Sequence, residues 1–496
     1  MSTARPTTLV LSDLHLTTVE PLDPERPLWR RYKQRDLIYD DKLAAMLDDA
    51  RAQVQGPLEV VFNGDVFDFD AVTDLPAPSM HLHASYMERI RGLAPHEAKS
   101  LFKLQRILAD HPTFVAAVRR LTAVGTRVVF VVGNHDLELL WPSVQATLEH
   151  ALTPDRANGE VRIVEWFYRS GEDTLIEHGH QYDSYCVCDD PLWPTIRLTE
   201  DSAPRIRLPF GSYASRVLVN GMGVINPHND QTWLLSFGGY VLYFWNHVAR
   251  VQPLLPLTWM WSSLMTLILS VRDGFLPAEV DPRALEERVE DVATKAQASP
   301  AMVRALYALR VHPAFFTPWR IAQELWVDRL LLFLLIVVGS FQAMATLNVL
   351  FGWGLQAWLA TIVLLFPPFL LYAQGIEPEA RAVDRAVHAR ATLIAGIANV
   401  ERLVLGHTHV ARHTTVEPLE YLNPGTWSPG FRDAACTQPI GHPYVVWIRP
   451  NEAGRRDAHV EAWLNPGWLA LPPTASEPSP AARVPFFNWR GRPRRR

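Results

Sequence analysis

Residues 127–136 read RVVFVVGNHD: a six-residue run, Arg127–Val132, that breaks at Gly133 into Asn134-His135-Asp136. The run is short, rich in β-branched residues and bounded by a turn residue, which predicts a buried strand. The polar cluster after it then falls at the strand's carboxyl end, where open α/β sheets bind ligands. Outward from this stretch the same arrangement recurs. Thr8–Ser12 leads into Asp13-Leu14-His15, and two residues spaced this way at a strand end point in one direction. Leu58–Asn63 leads into Gly64-Asp65-Val66-Phe67-Asp68, and Asp173–Glu177 into His178-Gly179-His180. Far downstream, RLVLGHTHV (402–410) carries Gly406-His407-Thr408-His409, and EPLEYLNPG (417–425) and HPYVVWIRP (442–450) read as further strands. Between the early runs, DKLAAMLDDARAQV (41–54) and HPTFVAAVRRLTAV (111–124) have the spacing of amphipathic helices. This strand–helix alternation predicts a layered α/β fold.

The chain's 496 residues allow two domains or one large decorated domain, and 48% hydrophobic residues allow a sizeable core. A net charge of −5 exerts no global pull toward nucleic acid, so no nucleic-acid partner is expected. Cys186, Cys188 and Cys436 are too few and odd in number for a secreted disulfide framework. The opening MSTARPTTLVLSDLHL lacks a signal peptide's apolar segment and cleavage site. A reducing, cytosol-facing catalytic part is therefore expected.

The middle of the chain differs. Leu330–Ile376 contains no charged residue and breaks at Phe351-Gly352-Trp353-Gly354 into two runs of about 20 residues, the length that spans a bilayer. Trp319, Trp326, Trp353 and Trp358 suit interfacial belts. Pro367-Pro368 argues against an unbroken second helix. A less clear pair, Trp233–Val248 and Leu254–Val271, either spans or lies in the interface. The predicted division is 1–190 and 381–471 as two parts of one catalytic domain, 191–380 as a helical insertion, and 472–496 as a Pro/Arg-rich tail.

Chemically, the strand-end clusters offer carboxylate, imidazole and one amide oxygen, with no thiolate. That donor set fits catalytic divalent metals rather than a structural zinc site. Two neighbouring metals need a bridging carboxylate, which an Asp in a tight Gly-Asp turn can supply, and such a pair activates water and clamps a phosphoryl group. Glycines before Asp65, Asn134 and His407 allow close backbone approach and unusual dihedrals. Other polar residues have plainer readings. His180 packs or meets substrate; Asp183 is a substrate contact, a supporting acceptor or a turn residue; Asp136 supports a ligand or caps a solvated turn. Cys186 and Cys188 read as idle thiols, His81 and His83 as surface residues, and Trp29-Arg30-Arg31-Tyr32-Lys33 as a solvated helix face.

The series DxH, GDxxD, GNHD, H and GHxH resembles the calcineurin-like metallophosphoesterase superfamily, over roughly 7–185 and 380–450. The resemblance implies a four-layer αββα sandwich with a dinuclear site at the sheet edge. It implies Asp13, His15 and His409 on one metal, Asn134, His178 and His407 on the other, and Asp65 bridging. It further implies His135 as general acid or charge stabiliser at the leaving oxygen, oriented by Asp68, and a structural Asn423. Two divalent ions are expected, manganese first, with iron or zinc as alternatives. GDVFDFD and GNHD depart from the GDxxDRG and GNHE of protein Ser/Thr phosphatases. Hydrolysis of a phosphoester or pyrophosphate at a membrane surface is expected, by a multi-pass protein whose catalytic domain faces the cytoplasm. A lipid-linked substrate is suggested by analogy with UDP-diacylglucosamine hydrolases, although those carry Arg where this chain has His135. The competing readings are a soluble cytosolic phosphodiesterase with a hydrophobic insert and a non-enzymatic membrane scaffold or sensor.

Overall fold

The computed structural model describes residues 6–153, 158–223, 252–352, 354–375, 383–416, 418–431, 433 and 435–473, with 242, 244, 245 and 249 singly. The sequence readings of Trp233–Val248 and of most of the Pro/Arg-rich tail lie outside these residues. In chain order the strands are β1 Thr7–Leu11, β2 Leu58–Asn63, β3 Arg127–Val131, β4 Val161–Val164, β5 Phe167–Ser170 and β6 Thr174–Glu177. A two-stranded ribbon follows, β7 Thr195–Ile196 with β8 Arg205–Ile206, then β9 Arg402–Leu405, β10 Arg412–Val416 and β11 Leu419–Asn423. The last are β12 Gly430–Phe431, β13 Pro439–Ile440, β14 Tyr444–Pro450, β15 Arg456–Trp463 and β16 Trp468–Ala470.

Two sheets carry the fold: seven strands in the order β16-β15-β14-β1-β2-β3-β4, and five in the order β10-β11-β9-β6-β5. The period-two alternation of strand side chains accounts for the layers. Val10, Val61 and Val129 face Ile176, Val404 and Leu422 in a core between the sheets. Their neighbours Leu9, Leu11, Val60, Phe62, Val128 and Phe130 face the other way, into a core shared with helices Asp40–Gln53, Glu97–Asp110, Pro112–Ala123 and Pro142–Leu152. On the outside of the second sheet, Leu175, Leu403, Leu405 and Tyr421 pack with helices Leu285–Lys295, Pro300–Leu309 and Ala391–Ala398. The result is the helix–sheet–sheet–helix sandwich expected from the motif series. Part of its fourth layer comes from residues 285–309, between the fourth and fifth motifs.

The runs read as strands around the first four motifs appear as β1, β2, β3 and β6, with ends shifted by no more than a residue. β4, β5, β10, β15 and β16 were not foreseen, and neither were helices Glu97–Asp110 and Pro142–Leu152. Four of these five missed strands, all but the short β16, mix charge into their pattern. β15 reads RDAHVEAW, and its alternation becomes legible only where it pairs with the buried β14.

The charge-free segment forms two helices, Val327–Phe351 and Leu355–Gly375, separated at Gly352. They run antiparallel: Phe341 meets Trp358 at 6.0 Å, Phe333 meets Phe369 at 5.8 Å, and the Tyr372 hydroxyl donates to Asp328 at 2.8 Å. Pro367 and Pro368 lie inside the second helix, which continues past them. Among the described residues one helix, Val327–Phe351, is long and apolar enough to cross a bilayer by length and composition. The apolar part of its partner, Trp358–Ala373, is shorter, so of the two spans expected here one has the full length.

Candidate metal centre

Each of the five motifs leaves the carboxyl end of a strand, β1, β2 and β3 from one sheet and β6 and β9 from the other. Because β6 and β9 are parallel neighbours, as are β1, β2 and β3, all five ends fall along one edge. The loops there are tied together through backbone and carboxylate. Asp13 N donates to the Gly64 carbonyl at 3.1 Å and His15 N to the Asp65 carbonyl at 2.8 Å. The Asp136 carboxylate accepts from the amides of Gly133 and, at 2.9 Å, of Val66. Asp136 is therefore a fully buried tie between two loops, not a solvated turn residue.

Asp13, His15, Asp65, His407 and His409 all have positive φ, between 51° and 67°. For residues with a Cβ this left-handed region is strained, and such strain concentrates at functional sites. Of the three glycines preceding the motif residues, only Gly64 has a positive φ, at 78°. Their shared contribution is close approach: a Cβ on Gly64 would lie 2.3 Å from the His178 ring, and one on Gly133 2.3 Å from Asp65 Oδ1. The unusual dihedrals fall on the residues that carry the donor atoms, where the sequence had placed them on the glycines.

Two groups of donor atoms form. In the first, His409 Nε2 lies 3.1 Å from Asp13 Oδ1, and the Nε2 atoms of His15 and His409 are 3.3 Å apart. In the second, His178 Nε2 lies 3.2 Å from Asp65 Oδ2, with His407 completing a set of potential ligand atoms within 4.8 Å of one another. The far sides of these rings are held. His178 Nδ1 contacts the Asn63 carbonyl at 2.9 Å, so Nδ1 carries a proton and Nε2 is the nitrogen turned inward, where it would meet a metal. His407 Nε2 meets Asp183 Oδ2 at 3.0 Å, which makes Asp183 a support for that imidazole and leaves Nδ1 on the other side of the ring. Asn134 is buried and its Oδ1 has no hydrogen-bond partner, while its backbone carbonyl accepts from Ser212 at 3.2 Å. Asn423 clamps the last motif, donating to the Gly406 carbonyl at 3.0 Å and accepting from Gly425 N at 2.8 Å, a structural task as expected.

His135 donates its backbone amide to Asp65 Oδ1 at 2.8 Å. Its ring Nδ1 faces two carboxylates, Asp68 at 3.4 Å and Asp70 at 3.6 Å. Burial opposes charge on this ring, but Asp68 and Asp65 outweigh it and raise its pKa to about 10. His178 is lifted to about 9, burial being overcome by Asp65 and Asp13. Asp65 is held well below its usual range by His178 and His135, against burial. The edge thus concentrates negative charge that draws in cations.

Asp70 and Arg216 were not singled out from sequence. Arg216 Nε lies 4.0 Å from Asp70, and its guanidinium donates to the carbonyls of Leu93 and, at 3.1 Å, Gly92. GDVFDFD holds Asp70 two residues beyond Asp68, a spacing that could have flagged it; nothing local marks Arg216. His180 is buried beside His178 and bonds Gln181 at 3.0 Å, the packing reading. Cys186 lies within ligand distance of Asp183 and His407, its thiol pushed far up by burial and by Asp183. His81 and His83 join no group of potential ligands among the described residues. The Trp29–Lys33 stretch is no solvated helix face. Lys33 is buried and donates to the Ala71 carbonyl at 2.8 Å, while Arg30 bonds Glu20 at 2.6 Å and the Asn220 carbonyl at 2.7 Å.

These residues fit divalent metals. The converging imidazole nitrogens, the buried carboxylates and the unpartnered Asn134 oxygen form a hard and borderline donor set suited to divalent cations. No curated protein shows significant similarity to the chain. Residues 6–199 match the calcineurin-like phosphoesterase family.

Proposed function

We propose that the protein is a metal-dependent phosphoester hydrolase with a dinuclear centre. The observation that carries this reading is the pair of donor groups, Asp13–His15–His409 and Asp65–His178–His407, assembled from both sheets at one edge. In this reading Asp13, His15 and His409 hold one divalent ion, and Asn134, His178 and His407 the other. Asp65 bridges, being paired with His178 and near enough to His15 to feel its charge. When bound, such a pair supplies a nucleophilic water at neutral pH and a clamp for phosphoryl oxygens. Manganese is the first choice, with iron or zinc as alternatives, since the mixed carboxylate, imidazole and amide donors accept all three.

His135 is the general acid for the leaving oxygen. Asp68 and Asp70 face Nδ1 and keep that nitrogen protonated, which leaves Nε2 to meet the substrate. Asp68 is itself fixed, accepting from Ala71 N at 2.9 Å. The catalytic unit comprises residues 1–190 and 381–471, with 191–380 inserted between the fourth and fifth motifs and sending helices 285–309 back onto the sandwich. The hairpin of 327–375 enters a membrane, supported by the length and apolar exterior of Val327–Phe351. Even entry and exit returns the chain to deliver His407 and His409 on the side of the other ligands. A phosphoester or pyrophosphate near the membrane, including a lipid-linked one, is the substrate class.

The test is hydrolysis of an aryl phosphodiester by detergent-purified protein with Mn²⁺. His135→Ala should lower turnover by about 10²- to 10⁴-fold, the usual contribution of a general acid. Wild-type turnover no higher than that of His135→Ala, across several metals and phosphate esters, would favour a scaffold that retains the fold. Release of the wild type from membranes by alkaline carbonate would favour the soluble phosphodiesterase.

A further inference from the structure

Helix Leu255–Gly274 is built inside out. Apart from Leu255 and Gly274, the residues it buries are polar: Ser262, Ser263, Thr266, Ser270 and Asp273. Its exposed large residues are apolar except Arg272: Leu254, Leu257, Trp261, Leu264, Ile268 and Phe275 follow one another at steps of three, four or seven along one face, with Arg272 between the last two. A helix on a water-soluble domain places its apolar stripe inward. The reverse arrangement is favoured only where the medium outside is itself apolar.

The polar face is seated on the catalytic unit. Ser262 Oγ accepts from Arg91 at 2.9 Å, and Asp273 is bonded by Arg205, by the Tyr213 hydroxyl and, at 2.7 Å, by Arg272. Tyr213 adjoins Ser212, whose hydroxyl holds the Asn134 carbonyl. Two successive contacts therefore link the stripe helix to a residue of the metal centre. At the same carboxyl-terminal end the helix joins the hairpin: Leu267 and Val271 pack in one cluster with Ile321, Leu325 and Val327, where the membrane-length helix begins.

We propose that the outward stripe of Leu255–Gly274 is a membrane-contact surface, lying in the outer part of a phospholipid bilayer and holding the metal centre beside lipid headgroups. This deepens the membrane reading above and rests on it. The occupant is lipid rather than a protein partner because the stripe continues into the cluster from which the hairpin departs. A bilayer that receives the hairpin is already at that end of the helix. The substrate follows from the placement, as a phosphoester carried on a lipid or released at the bilayer surface.

The experiment is photocrosslinking of the full chain in phosphatidylcholine–phosphatidylglycerol vesicles. p-Benzoylphenylalanine replaces, one at a time, Leu257, Leu264 and Ile268 on the stripe, Val338 on the hairpin, and Val124 and Leu469 on the exposed sandwich. Unchanged turnover of a soluble aryl phosphodiester shows that each variant is folded. Lipid adducts at 257, 264, 268 and 338, and none at 124 or 469, are expected. Lipid adducts at 338 without any on the stripe would overturn this inference alone. Adducts from the stripe to a second copy, or to residues 224–251 of the same chain, would do the same. No lipid adduct at any position would overturn both this inference and the membrane reading.

Discussion

The strand-end edge and the insertion present opposite burial problems. At the edge, charged groups are buried: Asp13, Asp65, Asp136 and His178 are each essentially inaccessible. In the hairpin, apolar groups are exposed, Leu335, Val338, Val363 and Leu364 each by about two thirds or more. Burying like charges in a protein interior is unfavourable unless partners or cations offset it. Exposing a surface of leucine and valine to water is unfavourable in the other direction. On the proposed reading each region is completed from outside, by metal in one case and by lipid in the other. What a region lacks is as informative about function as what it contains.

The strongest break in this comparison is Asp65→Ala. It removes the carboxylate that both His178 and the His135 amide engage. Turnover should fall to background, and bound metal measured by mass spectrometry on the purified protein should fall with it. Retention of both would place the bridging role elsewhere. Next in size, Gly64→Ala forces a Cβ to 2.3 Å from the His178 ring at a φ of 78°. The clash and the strained backbone together should cost about 3 kcal/mol or more, read as a large drop in the thermal midpoint.

On the insertion side, Leu335→Glu with Val338→Glu should move protein out of the membrane fraction. Each such charge costs roughly 2.5–3.5 kcal/mol at a bilayer centre, whereas on a water-exposed surface it is nearly neutral. Turnover of a soluble ester should be little changed, because the metal centre sits on the sandwich. An unaltered distribution would remove the contrast between the regions. The smallest effect concerns the contact between them, where Lys33 is buried and Arg30 reaches Asn220. Burial, with the Arg30 charge, lowers the Lys33 pKa from 10.5 to about 8. Between those values the unfolded chain binds the extra proton, so this group makes stability rise with pH from about 8 to 10.5. Thermal midpoints across that window should rise less in Lys33→Met.

The motif residues were legible because each is short-range: a strand, a turn, then donor atoms within a few positions. Gly133-Asn134-His135-Asp136 states its chemistry locally, as does Gly406-His407-Thr408-His409. The supports were less legible. Arg216 looks like any helical arginine until the fold brings it to Asp70, and Asp183 like a turn residue until it meets His407. The Trp29–Lys33 run was misread because the residues that bury it lie near positions 71 and 220.

By itself the sequence determined the α/β class, the donor set and the charge-free hairpin. These depend on local pattern, periodicity and composition, which the chain carries at every point. Only the tertiary structure decided that β6 and β9 bring their histidines to the edge shared by β1, β2 and β3. It alone showed that the strained dihedrals sit on the donor residues and that the Leu255–Gly274 helix turns its polar side inward. The physical reason is that burial is a property of neighbours, and a residue's neighbours are set by the fold rather than by its place in the chain.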